Sequence, residues 1–274
     1  MKRLTILCAL GAVACGAGEP AVEEASVTVV AQTLEFARES PRGVSAGFNL
    51  DCFVSGSNDG RTCFKEDFAS PDGTEGVDNE LARLLPLIDL AGEGALQALV
   101  QDAVNEGRLL MFFEVIEGEA GQVKLRVRRG ADVPLLGTDG FILPGQTLGL
   151  NEEDPLLGEG PATWADDVLE AGPFPLSIPL VIFSQLYLVS LPEAHLRFAF
   201  SEDGTVEAGT VGGGIPVAEL VQVLRTASNF GPEFEELFGG AVRDAGDLAR
   251  AADGSCAQMS AALTLRAVPA FVWE

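Results

Sequence analysis

The stretch LLMFFEVIEGEAGQVKLRVR, residues 109–128, decides the fold. Residues 109–116 are apolar apart from Glu114, which is typical of a buried strand. EGEAG at 117–121 has the composition of a turn. In residues 122–128 apolar side chains alternate with Lys and Arg, as in a strand with one buried face. The stretch therefore predicts an antiparallel hairpin.

The rest of the chain contains further strand and helix patterns without strand–helix–strand alternation. Strands are predicted at 27–37, 178–183, 185–191, 195–200, 205–211 and 259–273, and amphipathic helices at 79–104, with a break at 92–94, and at 216–227. Two short helices are predicted near 234–238 and 247–252. The pattern favours a mainly β chain with packed helices (α+β), built as an antiparallel β-sandwich or rolled sheet.

Two segments interrupt this pattern. Residues 131–176 are rich in Pro, Gly and acidic residues and offer only short apolar runs, so no long strand is predicted there. VGGGIP, residues 211–216, is predicted to end the sheet. We expect one β-rich domain over 27–274, with an Asp-rich loop and helical part at 27–107 and a sheet part at 108–274.

The charge of the chain limits its partners. The 274 residues include 41 acidic and 17 basic side chains, which gives a formal net charge of -24. Nucleic acids and anionic lipid headgroups are bound through Lys and Arg, so neither is expected to bind this surface. Small ligands, other envelope proteins and cations remain as candidate partners.

The amino terminus predicts export. MKRLTILCALGAVA, residues 1–14, has the charged start, the short apolar run and the small residues of a signal peptide. Ala12-Val13-Ala14-Cys15 resembles a bacterial lipobox, which implies a lipid anchor at Cys15. Residues 15–26 would then form a short tether, and Gly16 resembles the signal for the outer membrane. The alternative is ordinary cleavage after Ala14, which would give a periplasmic or secreted protein.

Three cysteines remain in the exported chain, where disulfides can form. Cys52 and Cys63 flank the turn-forming residues SGSNDG and are predicted to pair. Cys256 is the third, and the sequence leaves it open as the true partner of either one.

An Asp-rich loop offers the best candidate metal site. SPDGTEGVDNEL, residues 70–81, and the residues before it supply oxygen ligands of the kind that calcium prefers. The candidate ligands are Asp51, Asp59, Asp67, Asp72, Asp78 and Asn79. The alternative is that these side chains only stabilise turns and cap a helix.

Catalytic patterns are sparse. GVSAG at 43–47 fits the G-x-S-x-G pattern of serine hydrolases, with Ser45 as nucleophile, but the required strand before it and helix after it are missing. His195 is the sole histidine and the sole candidate base, which excludes zinc sites built on several histidines.

Four short motifs together resemble a group of uncharacterised secreted bacterial lipoproteins. They are GFNLDC (47–52), SPDGTEGVDNELARLLP (70–86), LLMFFEV (109–115) and CAQMSAALTLRAVPAF (256–271). The resemblance implies export and a β-rich body, and it carries no known activity.

The sequence thus favours a non-enzymatic, lipid-anchored envelope protein that binds a ligand or partner and is stabilised by calcium. The alternatives are a periplasmic or surface hydrolase that uses carboxylates or Ser45, and a purely structural envelope component.

Overall fold

The computed structural model describes residues 26–89, 94–118, 121–153, 155–182, 185–227 and 232–273. The predicted signal peptide (1–14), the lipidation site Cys15 and nearly all of the predicted tether (15–26) lie outside these residues. No helix among the described residues is long and apolar enough to cross a membrane.

The chain is mainly β, with four α-helices in the described residues, which confirms the prediction of a mainly β chain with packed helices. The strands are β1 (Val27–Phe36), β2 (Phe68–Ala69), β3 (Glu75–Val77), β4 (Met111–Glu117), β5 (Val123–Arg129), β6 (Gln146–Gly149), β7 (Leu156–Ala165), β8 (Val168–Ile182), β9 (Gln185–Phe200), β10 (Val206–Pro216), β11 (Leu248–Arg250) and β12 (Cys256–Trp273). The helices are α1 (Glu80–Asp89), α2 (Ala95–Asn105), α3 (Val217–Ala227) and α4 (Pro232–Asp244), and a 3-10 helix spans Gly60–Thr62.

The strand pairings of the large sheet form a cycle. Going round it, the order is β1-β4-β5-β7-β8-β9-β10-β12, every pair is antiparallel, and β12 pairs in turn with β1. The hairpin predicted from residues 109–128 is β4–β5, in which Phe113 lies opposite Val127. Because β1 belongs to the same sheet as β4 and β12, the amino-terminal part of the chain is built into the sheet.

Large and small side chains alternate on the inner face of this sheet. Phe113 of β4 meets Phe198 of β9 edge to face, with 4.9 Å between ring centroids, although the two strands are not neighbours. Phe174 occupies the space in front of Gly160, where a Cβ atom would lie 2.4 Å from the Phe174 ring. Glycine at this position of β7 therefore makes room for a core aromatic residue on β8.

Two predictions about the sheet are wrong. Residues 131–176 contain β6, β7 and the first part of β8. Gly and Pro residues of this segment lie within the strands and do not end them. VGGGIP does not end the sheet but continues β10, since Gly212 and Gly213 face the bulky side chains of Phe48 and Leu191. The segment predicted as a helix near 247–252 includes strand β11 instead.

The helices lie against different strands of the sheet. α2 packs on β1 and β8, and its Gln97 and Gln101 side chains donate hydrogen bonds to the carbonyl oxygens of Leu34 and Gln32 in β1. α1 packs on β12, while α3 packs on β9, β10, β12 and α4. The predicted helices at 79–104 and 216–227 are therefore present as α1, α2 and α3, and most of the predicted break at 92–94 lies outside the described residues.

The disulfide joins Cys63 to Cys256, and Cys52 is free and exposed. The predicted Cys52–Cys63 pair is therefore wrong. The reason is tertiary: the 3-10 helix before Cys63 packs on β11, and Arg250 of β11 is paired with Cys256 in β12. A bridge across 193 positions thus ties the Asp-rich loop to the last strand.

Removing this bridge will destabilise the protein. We expect Cys256→Ser to lower the free energy of unfolding by about 2–5 kcal/mol, because a long closed loop strongly restricts the unfolded chain. Urea unfolding measures the loss. Cys52→Ser is the matched control and should leave the unfolding curve unchanged, whereas equal losses in both variants would contradict the Cys63–Cys256 pairing.

Candidate functional site

A buried polar junction fixes the loop region to the sheet at the start of α1. The Asn79 side chain donates hydrogen bonds to Ser45 Oγ at 2.8 Å and to the Ala37 carbonyl oxygen at 3.2 Å. Its Oδ1 accepts one from the Ala262 backbone N–H of β12. Asn79 is 1% exposed, and both its amide nitrogen and its amide oxygen form hydrogen bonds. It therefore joins two loop segments to strand β12.

Ser260 of β12 caps the same helix from outside it. Its hydroxyl accepts a hydrogen bond from the Glu80 backbone N–H at 2.7 Å and donates one to the Asp247 carboxylate. Asp247 also accepts the Ser260 backbone N–H at 2.7 Å. The free N–H at the start of a helix is usually satisfied by a nearby side chain; here that side chain comes from a strand 180 positions away.

Three buried carboxyl groups surround this junction. Burial raises the pKa of Asp78 to about 8 and that of Asp247 to about 7. Burial also raises the pKa of Glu80, against the opposing effect of the nearby Arg83 guanidinium. Asp78 accepts the Leu50 backbone N–H at 2.6 Å, which lowers its pKa only in part. Asp78 and Asp247 therefore keep their protons to a higher pH than an aspartate in water does.

The six predicted calcium ligands do not form one metal-binding group in the described residues, although Asp51 and Asp67 are near enough to Asp78 to raise its pKa. Asp51 and Asp59 accept the backbone N–H groups two residues ahead of them, and Asp67 accepts that of Ser55 at 2.6 Å. Asp72 accepts the Thr74 N–H and the Ser70 hydroxyl, and the latter bond holds its pKa at about 2. Asp78 and Asn79 belong to the buried junction described above.

Among the residues that the structure describes, no group of three or more His, Cys, Asp or Glu side chains is placed to hold a metal ion. The five aspartates among the predicted ligands instead accept backbone N–H groups of turns and loops, the role that the sequence offered as the alternative, while Asn79 accepts one from strand β12. Calcium binding stays a prediction from the sequence.

Ser45 is placed in the buried junction rather than on a sharp exposed turn. Its hydroxyl is 1% exposed, accepts the Asn79 side chain and donates weakly to the Ala46 carbonyl oxygen at 3.2 Å. In the described part of the chain no hydrogen bond joins Ser45 to His195. A serine nucleophile needs such a base in hydrogen-bond reach, so this geometry favours a structural role for Ser45.

An open groove of about 320 Å³ lies on the outside of the sheet, beside His195. Strands β7, β8 and β9 form its floor, and Phe48 from the loop region forms one wall. Its lining residues are Phe48, Pro161, Ala162, Thr163, Glu170, Ala171, Gly172, His195 and Leu196.

The groove forms where the pairing of the strands is irregular. Register shifts occur between Gly158 and Ala162 in the β7–β8 pair and between Ala171 and Phe174 in the β8–β9 pair. Such bulges bend a strand and often stand beside binding sites. Gly172, with φ of 119°, occupies the bulge where a Cβ would lie 2.4 Å from the Ala194 carbonyl oxygen.

The polar groups of the groove combine a neutral ring with a carboxylate. Partial burial lowers the pKa of His195, whose ring centroid is 5.7 Å from that of Phe48. Glu170 lies on the neighbouring strand, with an oxygen 3.5 Å from Arg197 Nε. At neutral pH the groove thus offers an aromatic face, an uncharged imidazole that can donate and accept, and a carboxylate.

Sequence reasoning named His195 but missed Phe48, Thr163 and Glu170, which come from separate parts of the chain. It also missed Asp247 and Ser260 of the junction. The one feature of the sequence that could have indicated the groove is Phe48, a large apolar residue in a polar loop that has few others.

Comparison of the chain with family models, with curated proteins and with solved structures gives no match. The fold defines a mainly β protein with one large antiparallel sheet.

The buried carboxyls predict that the protein becomes more stable as the pH is lowered from 8 to 5. In this range the folded state keeps protons that the unfolded chain has released, so lowering the pH favours folding. One such group contributes at most about 1.4 kcal/mol per pH unit. We expect Asp78→Asn and Asp247→Asn each to flatten the dependence of unfolding free energy on pH, as measured by urea unfolding.

Asp72→Asn is the control for these two variants. Hydrogen bonds lower its pKa to about 2, so its contribution is lost only below about pH 4 and its removal should not change the slope between pH 5 and 8. A wild-type slope of zero in that range would contradict the raised pKa values.

Calcium binding is tested by melting the protein in calcium and in chelator. If the Asp-rich loop binds the ion, calcium raises the melting temperature by mass action, and the rise is lost in Asp72→Asn. Identical melting curves in the two solutions would contradict calcium binding, and the role of Asp72 would then be to stabilise its turn.

Proposed function

We propose that this chain is a non-enzymatic, lipid-anchored protein of the cell envelope that binds a small ligand in the groove beside His195. The observation that carries the proposal is the groove itself, a concave site that places an aromatic ring, a histidine and a carboxylate around one space. The lipid anchor at Cys15 and the outer-membrane location come from the amino-terminal sequence alone.

The charges around the groove favour a ligand that carries positive charge or several hydrogen-bond donors. Glu170 lines the groove and Glu193 is close enough to act on His195, while Arg197 is paired with Glu170. The net charge of -24 adds attraction for cations. Phe48 can pack on an apolar part of the ligand or on the cation itself.

We infer that the sheet is rolled rather than split into a sandwich. Support comes from the cyclic pairing, in which β1 and β12 join the two ends of the strand order. A closed sheet exposes few unpaired edges and gives the groove a rigid floor.

The single histidine makes the groove easy to test. We expect the imidazole Hε1 resonance of His195 to shift in NMR spectra when amino acids or polyamines are added, and the N-acetylated forms of the same compounds to cause smaller shifts. The titration should also give a His195 pKa below its ordinary value. Phe48→Ala should weaken binding by about 0.5–2 kcal/mol because it removes the aromatic wall.

Phe64→Ala is the matched control, since Phe64 is an exposed phenylalanine of the same loop region outside the groove. Equal effects of the two substitutions, or no shift with any compound of the panel, would contradict the proposed site.

The alternative of a hydrolase is tested with the same protein. Turnover of ester or glycoside substrates that is abolished by Ser45→Ala, or by Asp78→Asn or Asp247→Asn alone, would overturn the non-enzymatic proposal. The buried position of Ser45 and its bond with Asn79 argue for the absence of turnover.

A further inference from the structure

Six large apolar side chains are exposed in one region away from the groove. They lie in the loop after β5 and at the end of β12, and their exposure ranges from 40% to 71%. We call them the apolar patch: Val133, Leu135, Leu136, Leu143, Phe271 and Trp273. Scattered apolar residues are ordinary on a surface, but a continuous group marks an interaction site.

Contacts between the two segments make the patch continuous. The Gln146 side chain bonds to both backbone groups of Leu135 and to the Leu143 carbonyl oxygen, at 2.7–3.0 Å. β6, which begins at Gln146, pairs with the end of β12, so that Thr147 lies beside Phe271. Trp273 lies against Gly149, where a Cβ would come within 3.0 Å of the indole.

The patch is not needed to build the core beneath it. Ile142 and Leu148 from the same loop are buried, together with Phe112 of β4. These side chains cover the sheet, and the Gln32 side chain of β1 donates a 2.7 Å hydrogen bond to the Ile142 carbonyl oxygen. The loop is therefore held by its buried residues, while its exposed apolar residues remain available to a partner.

The start of the described chain lies close to the patch. Val29 of β1 pairs with Pro269, and the Pro269 carbonyl oxygen accepts the Gly145 N–H at 2.7 Å. Ser26 is three residues before Val29, about 10 Å along the strand. The contact between Pro269 and Gly145 stands between Leu143 and Phe271, two residues from each. Ser26 itself donates hydrogen bonds to the Val115 carbonyl oxygen of β4, so the tether joins the body about 10 Å from this part of the patch.

We propose that the apolar patch rests on the lipid surface to which the anchor at Cys15 ties the protein, an inference that rests on the lipid-anchored part of the proposed function. The 11 residues 16–26 can extend over at most about 40 Å, so the anchor keeps the body close to the membrane. The side that faces it is the side where the tether begins. Trp favours the boundary between headgroups and acyl chains, and Trp, Phe and Leu form the apolar face of helices that lie in this boundary.

The charges beside the patch define the kind of lipid. Asp132 accepts the Gly149 N–H at 2.5 Å, and Asp139 accepts the Phe141 N–H at 3.1 Å, so two carboxylates lie at its border. Carboxylates are repelled by anionic headgroups. The patch therefore fits a zwitterionic lipid surface, with contact through apolar side chains that is insensitive to salt.

The two tryptophans of the chain allow a direct test. Trp164 stacks on Phe200, with 4.8 Å between ring centroids, and lies outside the patch. The test uses full-length protein with its native amino terminus, reconstituted in phosphatidylcholine vesicles with brominated acyl chains. W164F leaves Trp273 as the single tryptophan and W273F leaves Trp164, and excitation at a wavelength that tyrosine does not absorb reports on the tryptophan alone. We expect bromine to quench Trp273 and to leave Trp164 unchanged.

A second variant tests the patch without changing a fluorophore. In the W164F background, Leu135→Glu should abolish the quenching of Trp273, while Leu99→Glu, at an exposed leucine of α2, should retain it. Near-ultraviolet circular dichroism of both variants shows that they are folded. Unquenched Trp273 in the parent, or equal quenching of both tryptophans, would overturn the inference.

The lipid anchor at Cys15 and the lipid contact of the apolar patch are tested by separate measurements. Mass spectrometry of the amino-terminal peptide shows whether Cys15 carries acyl chains; if it does not, the proposed anchor fails and the inference fails with it. Acylated protein with unquenched Trp273 would overturn the lipid contact alone. A dimer in sedimentation that is broken by Leu135→Glu would assign the patch to a second copy of the chain and would also overturn the lipid contact.

Discussion

Strand β12 is hydrogen-bonded to β1 along one edge and to β10 along the other, and this double pairing joins the first strand of the chain to the last. Other parts of the fold depend on the same strand. β11 and β6 pair with its two ends, the disulfide begins at Cys256, and Ser260 caps helix α1. Without β12 the first strand would keep only its short pairing with β4. The loop region between β1 and α1 would lose its disulfide and its hydrogen bond with the Ala262 N–H.

The loop region shows how a segment with little regular structure can be held in one position. Residues 37–79 contain two strands of only two and three residues, so apolar burial alone cannot fix them. Buried polar groups are costly unless every one finds a partner, and their hydrogen bonds are directional. Asn79, with bonds to two loop segments and to β12, therefore selects a single arrangement. The position of Phe48 over the groove depends on this arrangement, because the Asp78 N–H bonds to the Phe48 carbonyl oxygen at 2.9 Å. Asp78 is the residue before Asn79, so this hydrogen bond links the groove to the buried junction.

Those parts of the fold that depend on neighbouring residues could be predicted from the sequence, and the parts that depend on distant contacts could not. The β4–β5 hairpin and helix α3 follow from local apolar periodicity. The strands at Gly160 and Gly212 could not be recognised, since glycine opposes a strand locally and is favoured there only by Phe174 and Phe48, which come from elsewhere. Proximity in sequence favoured Cys52 as the partner of Cys63, whereas the packing of a 3-10 helix on β11 selects Cys256. The acidic residues were predicted as calcium ligands, with turns and helix caps as the alternative, and no local pattern distinguishes the exposed Asp72 from the buried Asp78.

The pairing of Val29 with Pro269 also has a consequence for the order in which the protein can be made and folded. These partners are separated by most of the chain, so this pairing cannot form until the chain has been synthesised up to residue 269. Folds with such distant contacts form slowly, because a long loop must be closed before its contacts contribute. During this interval the earlier strands remain without their final partners. A chain of this topology therefore stays accessible for longer to any process that needs an unfolded substrate, and passage through a membrane channel is one such process.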